Sequence, residues 1–273
     1  MIVNAALTGC VHKRDDSLYV PMTPEEIAKD VYRCARDGAN IFHIHARDRE
    51  FNPTWKKGIY AEIIQRIREI EPSAIVCVST SGRHWSCMYK RSDALHLDPP
   101  PEMASLTMGS YNSFDNVIVN PPLDIQWLAC RMRDKGIRPE LECFEIGHIH
   151  YAKYLIGKGI IEPPFYFNLF VGNLGTVDVP GLGAMVMELP KGALWSAAGI
   201  GRYQWEVSQA ALRMMGGVRV GLEDSLWLDG YTKEIPAQNQ DLVRRVVAYG
   251  HTMGLRPYSP EEVRERLCLR SSC

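Results

Sequence analysis

Two histidines one residue apart, His43 and His45, close the apolar run Ala39-Asn40-Ile41-Phe42 and are followed at once by Ala46-Arg47-Asp48. In an extended strand, residues i and i+2 project from the same face, so both imidazoles point the same way. Two neutral imidazoles side by side suit one divalent metal, which then wants a third ligand, often a carboxylate, and an open position for substrate. Glu223, in Gly221-Leu222-Glu223-Asp224, is the expected third ligand. The plainer alternative has the histidines hydrogen-bonding in the core while Glu223 pairs with Arg47. A lone histidine would favour that alternative, whereas a pair ending a strand, with an acid on the appropriate strand, favours the metal.

Other residues near Glu223 suit the same chemistry. Arg219 lies an even number of residues before Glu223, so both face inward if the strand continues, and a carboxylate beside a guanidinium is held ionised. A purely structural ion pair fits that spacing equally well. Asp224 alternates away from Glu223 on a straight strand, but a bent strand end brings it over the open metal position as a base. Ser79-Thr80-Ser81-Gly82-Arg83 offers hydroxyls and N–H groups to a carboxylate or an enolate oxygen, or else simply caps a helix. Gly199-Ile200-Gly201-Arg202 has the look of a phosphate turn, although ordinary turn glycines explain it better. Gly147-His148-Ile149-His150 falls where a helix should start, so these histidines are expected on the rim rather than on a metal.

The elements that position these residues follow one rhythm. Short apolar runs recur at about 2–8, 40–46, 74–80, 103–109, 141–146, 165–171, 193–199 and 218–223. Helical patterns lie between them: from Thr23-Pro24-Glu25-Glu26 towards Gly38, then Gly58–Ile70, Leu123–Lys135 and Ile149–Lys158, and later near 180–190, 203–215 and 239–253. Strand–helix alternation at this spacing means a parallel sheet, and eight such units close into a (β/α)₈ TIM barrel in the α/β class. An open doubly wound sheet would show GxGxxG after its first strand, which Thr8-Gly9-Cys10-Val11 is not. With no linker or compositional break, residues 1–273 read as a single catalytic domain, with the irregular stretch 84–102 shaping the rim. Barrel active sites form at the carboxyl ends of the strands. Asn4, Thr8, Thr107, Ser110, Glu142, Glu145 and Asn168 therefore join the suspects.

Composition narrows the partners. The chain has 273 residues, 46% of them hydrophobic, with 31 basic against 32 acidic side chains. It has no basic tract, so nucleic acid is not an expected partner. No membrane span is expected, and Met1–Gly9 does not read as a signal peptide. The eight cysteines, at positions 10, 34, 77, 87, 130, 143, 268 and 273, lack CxxC spacing and read as reduced thiols of a cytoplasmic protein.

Taken together, Asn4–Gly9, His43–Asp48, Ser79–Gly82, Pro101–Thr107, Pro139–Glu145, Gly199–Arg202 and Arg219–Asp224 resemble the β-keto acid cleavage enzyme family over nearly the whole chain. The resemblance implies a zinc-dependent barrel, expected as a homo-oligomer and here as a homotetramer, that condenses a small β-keto acid with acetyl-CoA to give acetoacetate and a new CoA thioester. His43, His45 and Glu223 match zinc ligands, and Asp224, supported by Arg219, matches the base. Ser79 matches a serine near substrate, with Thr80, Ser81, Gly82 and Thr107 around it. A further glutamate matches Glu140, with Glu142 and Glu145 as near alternatives. By that likeness zinc stabilises the enolate, and Asp224, a weak base, takes a proton that the metal has acidified. Lys13 or Arg14, in the loop after the first strand, would favour a neutral or acidic substrate tail. Two other readings remain: a metal-dependent hydrolase of the amidohydrolase type, and a catalytically dead barrel used as a scaffold.

Overall fold

The computed structural model describes residues 1–270. Cys273, and with it the end of the single unit expected over 1–273, lies outside the described residues. Eight strands form a closed parallel barrel in chain order: β1 (Val3–Ala6), β2 (Ile41–Ile44), β3 (Ile75–Val78), β4 (Met103–Thr107), β5 (Arg138–Cys143), β6 (Tyr166–Val171), β7 (Leu194–Gly199) and β8 (Gly217–Val220), with β8 pairing back onto β1. The expected TIM barrel is therefore the fold. Strands buried on both faces need continuous apolar runs, which is why each was legible. Two strand expectations move. β5 starts three residues earlier than 141–146, because Pro139 and Glu140 join the ladder opposite Ala104 and Ser105. β8 stops at Val220, so Glu223 lies in a turn rather than on a strand.

The helices follow their caps. They are α1 (Pro24–Arg36), α2 (Lys57–Ile70), the single turn α3 (Met88–Arg91), α4 (Pro122–Lys135), α5 (Ile146–Gly157), α6 (Val179–Glu188), α7 (Gln204–Arg213), α8 (Asn239–Thr252) and α9 (Pro260–Leu267). Thr23 caps α1 by accepting from the Glu26 N–H while Glu26 accepts from the Thr23 N–H, an arrangement worth about 1 kcal/mol. α9 was not anticipated: Val263 and Leu267 close the amino-terminal end of the barrel against Ile2, Ile41, Ile75, Met103 and Tyr166. The opposite, carboxyl end is left to the polar residues. The segment 84–102 does shape the rim, since Arg91 is buried there and donates to the Thr80 carbonyl at 3.0 Å and to Asn120 at 2.7 Å. No helix among the described residues is long and apolar enough to cross a membrane, and the seven described cysteines are free thiols.

One buried pair aligns the two strands that matter most. The Asn239 side chain donates to the Leu7 carbonyl (3.0 Å) and to Asp30 on α1 (2.6 Å), and accepts from the Leu222 N–H (2.7 Å). It thus ties the exits of β1 and β8 to α1 and α8, next to Glu223. Burial raises the Asp30 carboxyl from 3.8 to about 6, outweighing its hydrogen bond from Asn239. Since the folded pKa lies above the unfolded one, the stability this group contributes is present at low pH and lost as pH rises through about 6. Asp30→Asn removes that titration. The difference in unfolding free energy between pH 5 and pH 8, from urea melts, is expected to shrink by about 1 kcal/mol relative to the parent; identical pH slopes would refute the assignment.

Candidate active site

His43 lies near the end of β2 with its ring wholly buried, in register with Ala6 on one side and Cys77 on the other. Its Nδ1 lies 2.9 Å from Glu140 Oε2. Glu140 is anchored in turn by N–H donors from Asn4 (2.5 Å) and Asn168 (2.7 Å) and by the Cys77 thiol (3.3 Å). With Nδ1–H donating to the carboxylate, the His43 Nε2 lone pair is aimed upward. There it meets His45 Nε2 at 3.2 Å, and both nitrogens face Glu223, at 3.8 Å for His43 and 3.3 Å for His45. The three donor atoms fall within 4.8 Å of one another, and Glu223 Oε2 is buried without a hydrogen-bond partner. Two imidazole lone pairs converging beside an orphaned carboxylate oxygen have the donor chemistry of a three-ligand cation site. The structure therefore brings His43, His45 and Glu223 together, although not by strand alternation for the third.

The turn after β8 explains Glu223. A side chain at Gly221 would collide with the Ala6 carbonyl, so only glycine lets the chain leave β8 against β1. Gly9 makes the matching concession: a methyl group there would lie 2.7 Å from Glu223 Cγ. The bend also swings Asp224 inward, so that Arg219 Nε donates to Asp224 Oδ2 at 3.0 Å while Arg219 Nη2 reaches Glu223 Oε1 at 2.9 Å. The alternative pairing of Glu223 with Arg47 does not form. Arg47 instead donates to the carbonyls of Gly9, His12 and Phe51 and so fastens the loop after β1.

Arg219 is 1% exposed, lies over the Phe170 ring at 4.9 Å, and also faces Glu142 at 3.5 Å and Glu140 at 4.0 Å. One guanidinium thus serves four carboxyl groups, and the shortfall sets their acidity. Burial would raise Glu140, but His43 and Arg219 outweigh it and hold the carboxyl down at about 2. Burial likewise opposes ionisation of Glu223, which Arg219 and the histidines nevertheless hold well below the usual range. Glu142 is driven the other way, to about 7, by burial and by the Glu140 charge. Asp224 rises to about 6 because burial and Glu223 together exceed the pull of Arg219. Asp224 is consequently a better base than its sequence position implied. Burial lowers His45, while for His43 the adjacent Glu223 and Glu140 charges overcome burial and raise it.

Above these groups opens a cavity of about 920 Å³, lined at its floor by His45, Ser79, Thr107, Glu142, Arg219 and Asp224. Thr107 donates to Glu142 at 2.7 Å, and Ser81 also faces the space. Thr80 and Gly82 do not. Thr80 spends its N–H and hydroxyl on Ser105, and Gly82 packs against Arg91. Glu140 is fully buried beneath His43 and does not line the cavity, so its expected catalytic place becomes a supporting one. Arg14 is turned away, paired to Glu26 at 2.7 Å and stacked over Phe51 at 4.9 Å, and Lys13 is not on the wall, so neither cation meets a substrate tail. Of the second histidine pair, His148 is buried and accepts from the Phe144 N–H, contrary to a rim position, while His150 is exposed against Glu188. Sequence reasoning missed the stack of Tyr111 on Phe144 (3.8 Å) and of Phe144 on Phe170 (4.3 Å) that walls the cavity. It also missed Cys77. Neither carries a sequence signal beyond hydrophobicity. Strands β5 and β6 bring Glu142 and Asn168 into the barrel, not the further histidines an amidohydrolase-type site would need.

The family profile described as beta-keto acid cleavage enzyme matches residues 1–269. The chain is 34% identical over 272 residues to the 3-keto-5-aminohexanoate cleavage enzyme of Fusobacterium nucleatum, covering 99% of this chain and 98% of that one. It is 33% identical over 252 residues to the 3-oxoadipate:acetyl-CoA acetyltransferase of Cupriavidus necator, covering 90% and 87%. Among solved structures, the ternary complex of ObcA with a C4-CoA adduct and oxalate shares the fold, with a TM-score of 0.82 and 22% identity, over 93% of this chain and 68% of that one.

If Glu140 acts by orienting His43, Glu140→Gln is expected to weaken divalent-metal affinity about 10- to 100-fold without changing the number of ions bound. Competition against a chromophoric chelator measures this, and unchanged affinity would separate Glu140 from the site. Glu223→Ala removes one of the three converging donors and is expected to abolish stoichiometric binding altogether.

Proposed function

This chain belongs to the beta-keto acid cleavage enzyme family, and from that premise we propose that it exchanges acyl groups between a β-keto acid and acetyl-CoA, giving acetoacetate and a new acyl-CoA thioester. The observation that carries this reading is the meeting of His43, His45 and Glu223 around one point, with Asp224 held beside it by Arg219. A divalent ion at that point, zinc in our reading, supplies Lewis-acid stabilisation of the enolate. The chain's own residues supply the rest. We further propose that the whole chain works as one catalytic unit in the cytoplasm, as a homo-oligomer.

Asp224 takes the proton from C2 of the β-keto acid. With its carboxyl raised to about 6 it remains mostly ionised at neutral pH, yet it is basic enough to accept that proton. Arg219 fixes the carboxylate oxygen through Nε and stays charged throughout. The C2 carbanion forms a bond to the acetyl carbonyl carbon and CoA thiolate departs. The thiolate then attacks the original keto carbon, the C2–C3 bond breaks, and C2 recovers a proton as acetoacetate leaves. Ser79 and Ser81 present hydroxyl groups to the substrate carboxylate from the loop after β3. Glu140 is a positioning residue, acting through His43.

Purified, metal-loaded protein incubated with acetyl-CoA and a panel of β-keto acids is expected to form acetoacetate in step with a new CoA thioester. Asp224→Asn should lower kcat by about 10²–10⁴-fold while retaining metal and an unchanged melting temperature. A panel yielding no acetoacetate, together with hydrolysis of an amide or ester, would overturn the assignment.

A further inference from the structure

A β-keto acid of a few carbons does not fill about 920 Å³, a volume at the upper end of the roughly 300–1,000 Å³ that encloses drug-sized ligands. The excess space has two walls of unlike charge. On the β3–β4 side the cation is Arg83, and it is already spent: Nη1 faces Asp115 at 3.4 Å and Nη2 donates to Ser113 at 3.0 Å. On the β7–β8 side stand Arg202 and Lys233, both exposed, and neither forms an ion pair with a carboxylate among the described residues. Glu206, the carboxylate that acts on Arg202 electrostatically, accepts from the Tyr231 hydroxyl at 3.1 Å.

Both cations, though exposed, are fixed in place, Arg202 through its side chain and Lys233 through its backbone. The Arg202 guanidinium lies over the Tyr203 ring at 4.8 Å and 5.8 Å from the centre of Tyr231, and it donates to the Tyr203 hydroxyl at 2.7 Å. Gly230 packs so closely on the Arg202 backbone that any side chain there would clash, which keeps the two segments together. Lys233 has φ +54°, a left-handed conformation that a lysine adopts at a cost of about 1 kcal/mol. The turn imposing it is built on Asp229, whose backbone carbonyl accepts from the Lys233 N–H (3.1 Å) and whose carboxylate accepts from the Tyr231 N–H (2.9 Å). A strained residue kept at a cavity mouth, where glycine would be easier, argues for what its side chain does.

We propose that Arg202 and Lys233 form the subsite for the nucleotide phosphates of acetyl-CoA, so that the thioester enters along the β7–β8 wall and the β-keto acid occupies the β1–β4 side. This rests on the reaction proposed above and adds to it the residues and direction of entry of the second substrate. Phosphate oxygens suit a guanidinium and an ammonium that have no carboxylate of their own to satisfy. The arm between phosphates and thioester then passes Trp227 towards Asp224.

The test uses the metal-loaded enzyme and two thioesters, acetyl-CoA and S-acetyl-N-acetylcysteamine, which lacks the nucleotide. In Arg202→Gln/Lys233→Gly the KM for acetyl-CoA is expected to rise at least about tenfold, with kcat and the β-keto acid KM little changed and kcat/KM for the truncated thioester altered less than twofold. Lys233→Gly alone relieves the left-handed strain, so a partial rise in KM with an equal or higher melting temperature excludes misfolding as the cause. Calorimetric titration with CoA reads the same subsite without turnover. Should the parent enzyme make no acetoacetate, the reaction reading falls while this titration still decides the subsite. An unchanged KM and CoA affinity in the double variant, or equal losses with both thioesters, would overturn the proposal.

Discussion

The structure turns on a shortage of positive charge. Arg219 lies within 4.0 Å of carboxylate oxygens from Glu140, Glu142, Glu223 and Asp224, and no other arginine or lysine pairs with any of them among the described residues. In a buried setting such an imbalance cannot be left uncompensated, because each unpaired charge costs several kcal/mol to desolvate. Three outlets are available: protonate some carboxyls, protonate a histidine, or bring in a cation. The upward shifts of Glu142 and Asp224 lean toward the first, and that of His43 toward the second. The orphaned Glu223 Oε2 beside two converging imidazole nitrogens is arranged for the third. The donor set suited to a cation and the raised carboxyl of Asp224 are therefore not separate features of this site; both are consequences of one guanidinium asked to satisfy too many acids.

The barrel delivers these groups from strands far apart in sequence. β8 closing onto β1, with β2 on the other side, puts residue 223 beside residues 43 and 45. That much was legible from the sequence, because buried parallel strands write themselves as apolar runs and the histidine pair sits at the end of one. The turn was not legible. Whether Asp224 faces in or out depends on where β8 stops, and that is decided by the contact of Gly221 with the Ala6 carbonyl, a tertiary approach with no local signature. The same limit hid α9, whose short amphipathic pattern gives no hint that it plugs the barrel base.

Spacing also misjudged the hydroxyl loop after β3. Ser79, Thr80, Ser81 and Gly82 read alike as substrate contacts, yet the backbone sends only the two serines to the cavity, while Thr80 bonds to Ser105 and Gly82 yields room to the buried Arg91. Adjacent polar residues in a loop alternate between lining a site and building it. Glu140 and Glu142 show the same division on a strand. Both point into the barrel, but Glu140 sits one layer lower, beneath His43, where it is fully dry and strongly acidic. Two residues further along, Glu142 reaches the cavity, is held by Thr107, and is the carboxyl that gives up its charge first.

That vertical order has a chemical consequence. A carboxylate held at about 2 directly under a histidine fixes Nδ1–H as the donor, so in the neutral ring the lone pair sits on the upper nitrogen. A carboxyl in that lower layer that became protonated near neutral pH would release His43 to the other tautomer and turn an N–H toward His45 and Glu223. The acid that must never change state is placed deepest, among Asn4, Asn168 and Cys77 donors. Asp224, the acid we propose to exchange a proton, is placed at the cavity floor with a single charged partner. Depth in the barrel, rather than residue type, separates the carboxyl that orients His43 from the carboxyl that faces the cavity.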